Sequence, residues 1–404
     1  MIFLRRLSWV ICCLSPLGLQ AQIDPVEREL IQVGYNIAMQ GHAPLAGYAF
    51  YYLNKPNFFN RTNLTLRLAV APTYMDSELG ISSLLGENTD LGVGVAGGGF
   101  ADNYAEVRGG KYLPKESFTG YGGEMSLSLY HLFNRGAQIP LNGMLRGIAH
   151  YSIYSRDNDT ADDFELAKDH GTFSVRTGLR FGGREPTLFP SLAMELSVWY
   201  EGFFRTDDHR YGFNDDRKLE PMSHLFWGEA LLAYTLPEWK HNFYVSLTAG
   251  TSLDADRFST YRLGALLPLV AEYPLSLPGY YYQEISAKDF VLLGVNYIIP
   301  LDEKQKWNIN GTLSTAGVNY LPGLEQPGNW HSGVGVGILY KTQSLKVMLG
   351  YGYGVDAIRS QGRGAHSIGL LMQLDWAQAY NAIFSPDSPN RWRGFQKVLG
   401  LFGG

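Results

Sequence analysis

The sequence is short of cysteine, of charge and of long apolar runs. Its 404 residues hold two cysteines, Cys12 and Cys13, side by side near the N-terminus. Charged residues make up 18% of the chain, below the ~25% of ordinary soluble domains. Beyond the first twenty or so residues no segment holds 18 consecutive apolar residues, and mean hydropathy is only -0.12. A bundle of membrane-spanning helices is thereby excluded. A formal net charge of -5 removes the basic footprint of a nucleic-acid binder. What is abundant is aromatic residue (14%) and glycine (47), with 19 prolines. That composition argues against long coiled coils and against disorder. A large β protein remains: a soluble sandwich, a propeller or a membrane barrel.

The N-terminus reads as a secretory leader. Arg5 and Arg6 precede an apolar stretch from Leu7 to Leu14, and Leu19-Gln20-Ala21 supplies a small-residue cleavage site after Ala21. Residues 1–21 are therefore expected to be removed. A lipid anchor on Cys12 would need a longer apolar core before it. Cleavage takes away both cysteines and two arginines, which leaves 31 basic against 38 acidic residues, a net charge of -7. The mature chain then has no disulfide framework and no cysteine-based metal site.

Residues 22–44 differ from the rest of the mature chain. Val26, Leu30, Val33 and Ile37 recur at roughly helical spacing, which predicts a short amphipathic helix in a periplasmic N-terminal segment. From about Leu45 the period becomes two. In 344–355 Leu345, Val347, Leu349, Tyr351, Tyr353 and Val355 share one face, and glycines 350, 352 and 354 the other. In 330–340 Val334, Val336 and Ile338 oppose Gly333, Gly335 and Gly337. Such runs are about twice the ~5–6 residues of a sandwich strand. They suit a tilted strand that crosses hydrocarbon, bulky outside and small or polar inside. Lipid cannot satisfy an open sheet edge, so the sheet must close.

The period-two runs give sixteen candidate strands: 45–54, 61–73, 77–85, 89–98, 119–133, 139–154, 171–182, 189–202, 222–236, 242–252, 257–267, 283–299, 306–319, 330–341, 344–355 and 365–376. The third and fourth are the weakest, so fourteen is an alternative. The fold expected is all-β: a transmembrane antiparallel β-barrel over 45–376, with short amphipathic helices at the termini and a tail over 377–404. One inconsistency stands. The polar loops 99–118, 155–170 and 203–221 fall on the opposite side from 268–282, which implies a miscounted strand within 222–267.

The third quarter of the chain carries a family signal. Tyr261-Arg262-Leu263-Gly264-Ala265 is followed by a long segment through Pro278-Gly279-Tyr280-Tyr281-Tyr282-Gln283-Glu284, then by a strand ending Gly294-Val295-Asn296-Tyr297. This resembles the bacterial surface antigen barrels of the BamA and TamA type. The resemblance implies a sixth external loop, about 265–288, folded back into the lumen. In that family the loop tip carries an arginine, and its partner aspartate lies in the strand after the Gly-x-x-Tyr element. Here Pro278 and Thr315 stand at those places, with Gly317 closing the partner element. Losing both halves of a buried pair is coherent, because either charge alone would be costly. The tyrosines 280–282 are left to hold the loop, and Glu272 and Glu284 give it the opposite sign of charge. The family's assembly proteins also carry POTRA domains before the barrel, where this sequence has about 23 residues; a stand-alone barrel is the expectation. The resemblance is strongest over 257–376.

Ser367-Ile368-Gly369-Leu370-Leu371-Met372-Gln373-Leu374 resembles the recognition signal of outer-membrane barrels, with Trp376 as its closing aromatic. The seam is expected to join 45–54 to 365–376. In the tail, Trp392, Phe395, Val398, Leu399 and Phe402 fall at helical spacing beside Arg391, Arg393 and Lys397. That pattern fits a membrane-surface helix or a cork in the barrel mouth.

Enzyme chemistry finds little support. His150-Tyr151-Ser152 resembles the His-x-Ser spacing of barrel lipases, but its apolar partners turn His150 and Ser152 to the lumen, away from lipid. Ala365-His366-Ser367-Ile368-Gly369 imitates a nucleophile elbow in what reads as continuous strand. His331 and Ser332 point to opposite faces. No phosphate loop, zinc or calcium motif is present, and no cofactor is expected. The reading is a non-enzymatic, monomeric barrel of the bacterial outer membrane. By its resemblance it disturbs lipid at the seam to aid insertion or translocation of protein or lipid. A solute-diffusion pore is the alternative, and a barrel lipase a weaker one. Its partners would be membrane lipids and a cargo.

Overall fold

The computed structural model describes residues 24–184, 188–266, 275–360, 362–384 and 398. Sixteen antiparallel strands cross the barrel. They are β1 (Arg28–Ala38), β2 (Gly47–Pro56), β3 (Leu64–Val70), β4 (Tyr74–Ile81), β5 (Thr89–Gly98), β6 (Thr119–Leu132), β7 (Leu141–Ser155) and β8 (His170–Gly183). They continue as β9 (Leu192–Arg205), β10 (Met222–Thr235), β11 (Asn242–Leu253), β12 (Ile285–Pro300), β13 (Trp307–Tyr320), β14 (Trp330–Lys341), β15 (Leu345–Arg359) and β16 (Gly362–Asp375). Each pairs with its sequence neighbours. β1 closes the ring on β16 through nine residue pairs, from Leu30 opposite Asp375 to Ala38 opposite Ser367.

The strand number agrees with the sequence reading, but two strands trade places. The helix expected in 22–44 is the first strand. Ile31, Val33, Tyr35 and Ile37 alternate outward while Leu30 and Asn36 are buried inward, so apolar residues on both faces imitate a helical spacing. The β-branched residues favour the strand, and the free edge of β16 demands a partner. The barrel therefore begins at residue 28 rather than 45, and the seam joins β1, not 45–54, to β16. Conversely, 257–267 does not cross. Among its described residues, 257–266, only Tyr261–Leu263 is extended, as a short addition beside the start of β12. Removing 257–267 resolves the parity conflict, and the added β1 restores the count of sixteen. The long loops 99–118, 156–169, 206–221 and 254–284 all lie at one rim, the loop rim. The other, the turn rim, bears the start of β1, the end of β16 and connections such as 236–241 and 342–344.

The expected strand 77–85 is shifted to Tyr74–Ile81, because Ala71 and Tyr74 close a tight turn around Pro72. Proline cannot donate to the ladder, so the preceding strand ends at Val70. The last strand ends at Asp375, not at Trp376. The Asp375 carboxylate accepts from the Gln378 backbone (2.9 Å) and side-chain amides (3.0 Å). It thereby caps a helix, α1 (Trp376–Phe384), which Trp376 opens.

Inside and outside obey the alternation. Along β14, Val334, Val336 and Ile338 are exposed and His331, Gly333 and Leu339 buried. At the loop rim, Tyr104, Phe118, Phe164 and Tyr211 bury one another with Phe258 beside them. This aromatic cap encloses Arg217, which is paired to Glu116. The strands are unequal in length. β1 to β5 have 7 to 11 residues, whereas β6 to β16 have 12 to 16.

Candidate functional site: the inward loop and the seam

Loop 254–284 enters the lumen at Gly264, whose φ of +151° is open to glycine and strained for other residues. A Cβ there would also lie 1.9 Å from the Tyr281 carbonyl. The returning arm is pinned at the same point. Gly264 N–H donates to Leu275 O (2.9 Å) and Ala265 N–H to Tyr281 O (3.1 Å).

The loop tip lies on the inner wall of β14, β15 and β16. The glycines of that wall form its seat. A Cβ on Gly333 would come within 2.3 Å of the Pro278 carbonyl, and one on Gly335 or Gly352 within 3.0 Å of the Leu266 side chain. Gly279 meets the wall most closely. Its φ is +85°, and a Cβ would sit 1.8 Å from Gly354 N. The small inner face is thus a close-packed seat for this loop.

A buried ion pair locks the tip. Glu284 receives two bonds from the Arg359 guanidinium, each 2.8 Å. Arg359 also donates to Gly279 O (3.3 Å) and lies over the Tyr281 ring, 3.7 Å from its centroid. The second Glu284 oxygen accepts from Tyr281 N–H (2.7 Å). In the sequence both halves of the family's pair are missing. The pair is present with reversed polarity, the acid on the loop and the arginine on the barrel. The sequence hides it because β15 is irregular between Gly354 and Ile358. Before that break the even residues are buried; after it Ala357 and Arg359 are. Arg359 therefore faces inward against the strict alternation.

Thr315 and Gly317, assigned as the loop's partner strand, lie on the outer face of β13, among Leu313 and Trp330. The strand residues that face inward are Ser314 and Ala316. Tyr280 instead reaches His331, O–N 3.2 Å, whose other ring nitrogen lies 2.6 Å from the Tyr320 hydroxyl. The opposed directions of His331 and Ser332 argue only against joint chemistry; the place of His331 on the inward glycine face is the usable signal.

The loop also bridges the seam. Leu266 N–H donates to Asn36 Oδ1 of β1 (3.2 Å), while Gly279 N–H donates to Ser367 Oγ of β16 (3.1 Å). The Tyr281 hydroxyl reaches Gln40 O beyond β1 (2.9 Å), and the Gln40 side chain accepts from His366 N–H (2.9 Å). One loop thus holds both edges of the closure. Ser367 and Gly369 face inward, and Met372 and Leu374 outward, with Trp376 beyond the strand. Pro278, Gly279, Tyr280, Tyr281 and Glu284 converge at the seat, whereas Tyr282 turns toward a separate cavity. Glu272 and the tail residues Trp392, Arg393, Phe395, Lys397 and Phe402 lie outside the described residues.

That cavity, about 640 Å³, lies between the aromatic cap and the wall of β6 to β9. Arg146 and Arg176 face each other in register across β7 and β8. Glu201 neutralises Arg176 at 2.8 Å, and Ser126 accepts from Arg146 at 2.9 Å. His150 sits 2.8 Å from Asp102 and 3.4 Å from Glu124. Both ring nitrogens are thus committed to carboxylates, which leaves neither to activate Ser152.

No protein-family profile and no curated protein matches this chain. Solved structures do. CdiB from Acinetobacter baumannii is similar over 86% of this chain and 60% of its own length, with 12% identity and a TM-score of 0.55. CdiB from Escherichia coli covers 87% and 63% at 12% identity, TM-score 0.56. BamA from Haemophilus ducreyi, in a crystal structure lacking POTRA domains 1–3, covers 86% and 70% at 10% identity, TM-score 0.53. The chain spans about three fifths of the CdiB structures. At these identities the likeness is one of fold: the barrel is built as those of CdiB and BamA are, the architecture the resemblance in 257–376 implied.

Proposed function

We propose that the chain is a monomeric barrel of the bacterial outer membrane that weakens lipid packing beside its seam and so aids insertion or translocation of protein or lipid. The observation that carries this reading is the short wall next to the seam. β3 has seven residues. Six steps of ~3.3 Å, tilted by ~40°, span roughly 15 Å of membrane. Its outward stripe is Leu64, Leu66, Leu68 and Val70. An outer-membrane barrel normally presents a band ~25 Å tall. Lipid beside β2 to β4 would have to thin to cover it, while the 12- to 16-residue strands opposite impose no such demand. The seam at the edge of this thin wall is braced from inside by the loop, and the loop's seat is the element that would regulate its opening. The reading places the loop rim outside the cell and the turn rim in the periplasm. No catalytic step is assigned.

The test is reconstitution. Vesicles bearing the protein should accelerate insertion of an unfolded small β-barrel, or lipid exchange between leaflets, relative to vesicles with a 16-strand porin. Equal rates would refute the reading. The charged ladder around Arg146 and Arg176 favours a second reading, a pore for small polar solutes past a loop folded against the opposite wall. Vesicle swelling in sugar solutions distinguishes it: swelling without insertion or exchange activity would make the pore the better account.

A further inference from the structure

At the turn-rim end of the seam lies α1, a helix with three faces. Ala379 is buried, and Ala382 and Ile383 are partly covered, against the barrel end formed by β1 and β16. Trp376, Tyr380 and Phe384 recur every four residues, so they form a second stripe, with ring centroids 6.4 and 5.1 Å apart along it. The three are 37%, 51% and 45% exposed. Ala377, Gln378 and Asn381 make up the third, small and polar face. At 100° per residue the aromatic stripe occupies an arc between the barrel-packed face and the polar face.

The position of that stripe identifies what covers it. Ile368, Leu370, Met372 and Leu374 are the lipid-facing residues of β16. Asp375 caps the helix directly after them, so the aromatic stripe starts where the lipid-facing stripe stops. Aromatic rings with a polar edge are the residues that settle at the headgroup level of a bilayer.

We propose that α1 is a membrane-interface helix that lays Trp376, Tyr380 and Phe384 among the lipids of the near leaflet at the end of the seam. Its other face stays on β1 and β16, so the lipid contact is made at the pair of strands whose separation the seam reading requires. The inference rests on the barrel spanning a bilayer, and the test separates the two.

Cys12 and Cys13 are replaced by serine, and nitroxide labels are placed singly at Y380C, N381C and, as a control on the outer face of β15, L349C. Accessibility to oxygen, which enriches in lipid, is compared with accessibility to a water-soluble nickel chelate. The vesicles are phosphatidylcholine. The expected result is a higher oxygen-to-nickel ratio at 380 than at 381. A lipid signal at 349 with a water signal at 380 overturns the proposal and leaves the barrel standing. So does a label at 380 shielded from both reagents, since protein then covers the stripe. A water signal at 349 removes the barrel reading itself.

Discussion

Replacing Arg359 with methionine should release the inward loop. The substitution removes both bonds to Glu284, the bond to Gly279 O and the guanidinium stacked on Tyr281. It leaves the Glu284 carboxylate, which is buried, held by the Tyr281 N–H. Breaking a buried pair by removing one partner costs ~3–5 kcal/mol, most of it the stranded charge. At ~1.4 kcal/mol per tenfold, the balance between seated and released loop moves by roughly 10² to 10⁴. The assay is single-channel recording in a planar bilayer, with protease cleavage of 275–284 as an independent readout. R359M should show frequent openings and rapid cleavage. The companion E284M/R359M removes both charges and keeps apolar volume, so much of the loss should be recovered. If the single variant behaves as wild type, or the double is as open as the single, the pair does not hold the loop and the reasoning fails.

Three further outcomes are expected from the same geometry. G279A should unseat the tip even with the ion pair intact, because the Cβ meets Gly354 N and the left-handed backbone adds ~1 kcal/mol; protease resistance of 275–284 equal to wild type would contradict the close packing. A disulfide from Q32C and Q373C, which stand opposite each other across the seam, should suppress insertion or lipid exchange and release it on reduction; undiminished activity in the oxidised protein would show that the seam need not part. His209 couples the loops 156–169 and 206–221, since its Nε2 accepts from Lys168 N–H (2.6 Å). Burial lowers its pKa and outweighs the opposing pull of the Asp207 carboxylate. A histidine held neutral by folding contributes stability above its ordinary value of about 6.5, and that contribution is lost as pH falls through the lowered folded value. Proteolysis of the two loops should therefore rise on acidification below about pH 6.5, and H209Q should flatten the profile; a wild-type profile already flat to about pH 4 would refute the coupling.

The architecture was legible because a membrane barrel writes its constraint on every strand. Lipid outside and small or polar groups inside impose period two over lengths a sandwich does not need, and 330–341, 344–355 and 365–375 carry it without ambiguity. The failures occurred where that constraint relaxes. β1 carries Leu30 inward as well as Ile31, Val33 and Ile37 outward, so its pattern reads equally as a helix. Tyr261–Leu263 continues a loop whose residues are as apolar as a strand's, because it packs against the barrel wall instead of lipid.

The site divides along the same line. The residues of 257–297, through their resemblance to the surface antigen barrels, pointed to 265–288, with Pro278 to Glu284, as an inward loop. They could not supply its partners. Arg359 faces inward only because β15 breaks register, His331 matters only because Tyr280 lies opposite it, and Asn36 and Ser367 meet one loop from opposite ends of the chain. Alternation along a strand is local and is fixed by the solvent on each face. Contacts between a loop and a seam depend on ring closure and on irregularities in pairing, which three-dimensional packing alone decides.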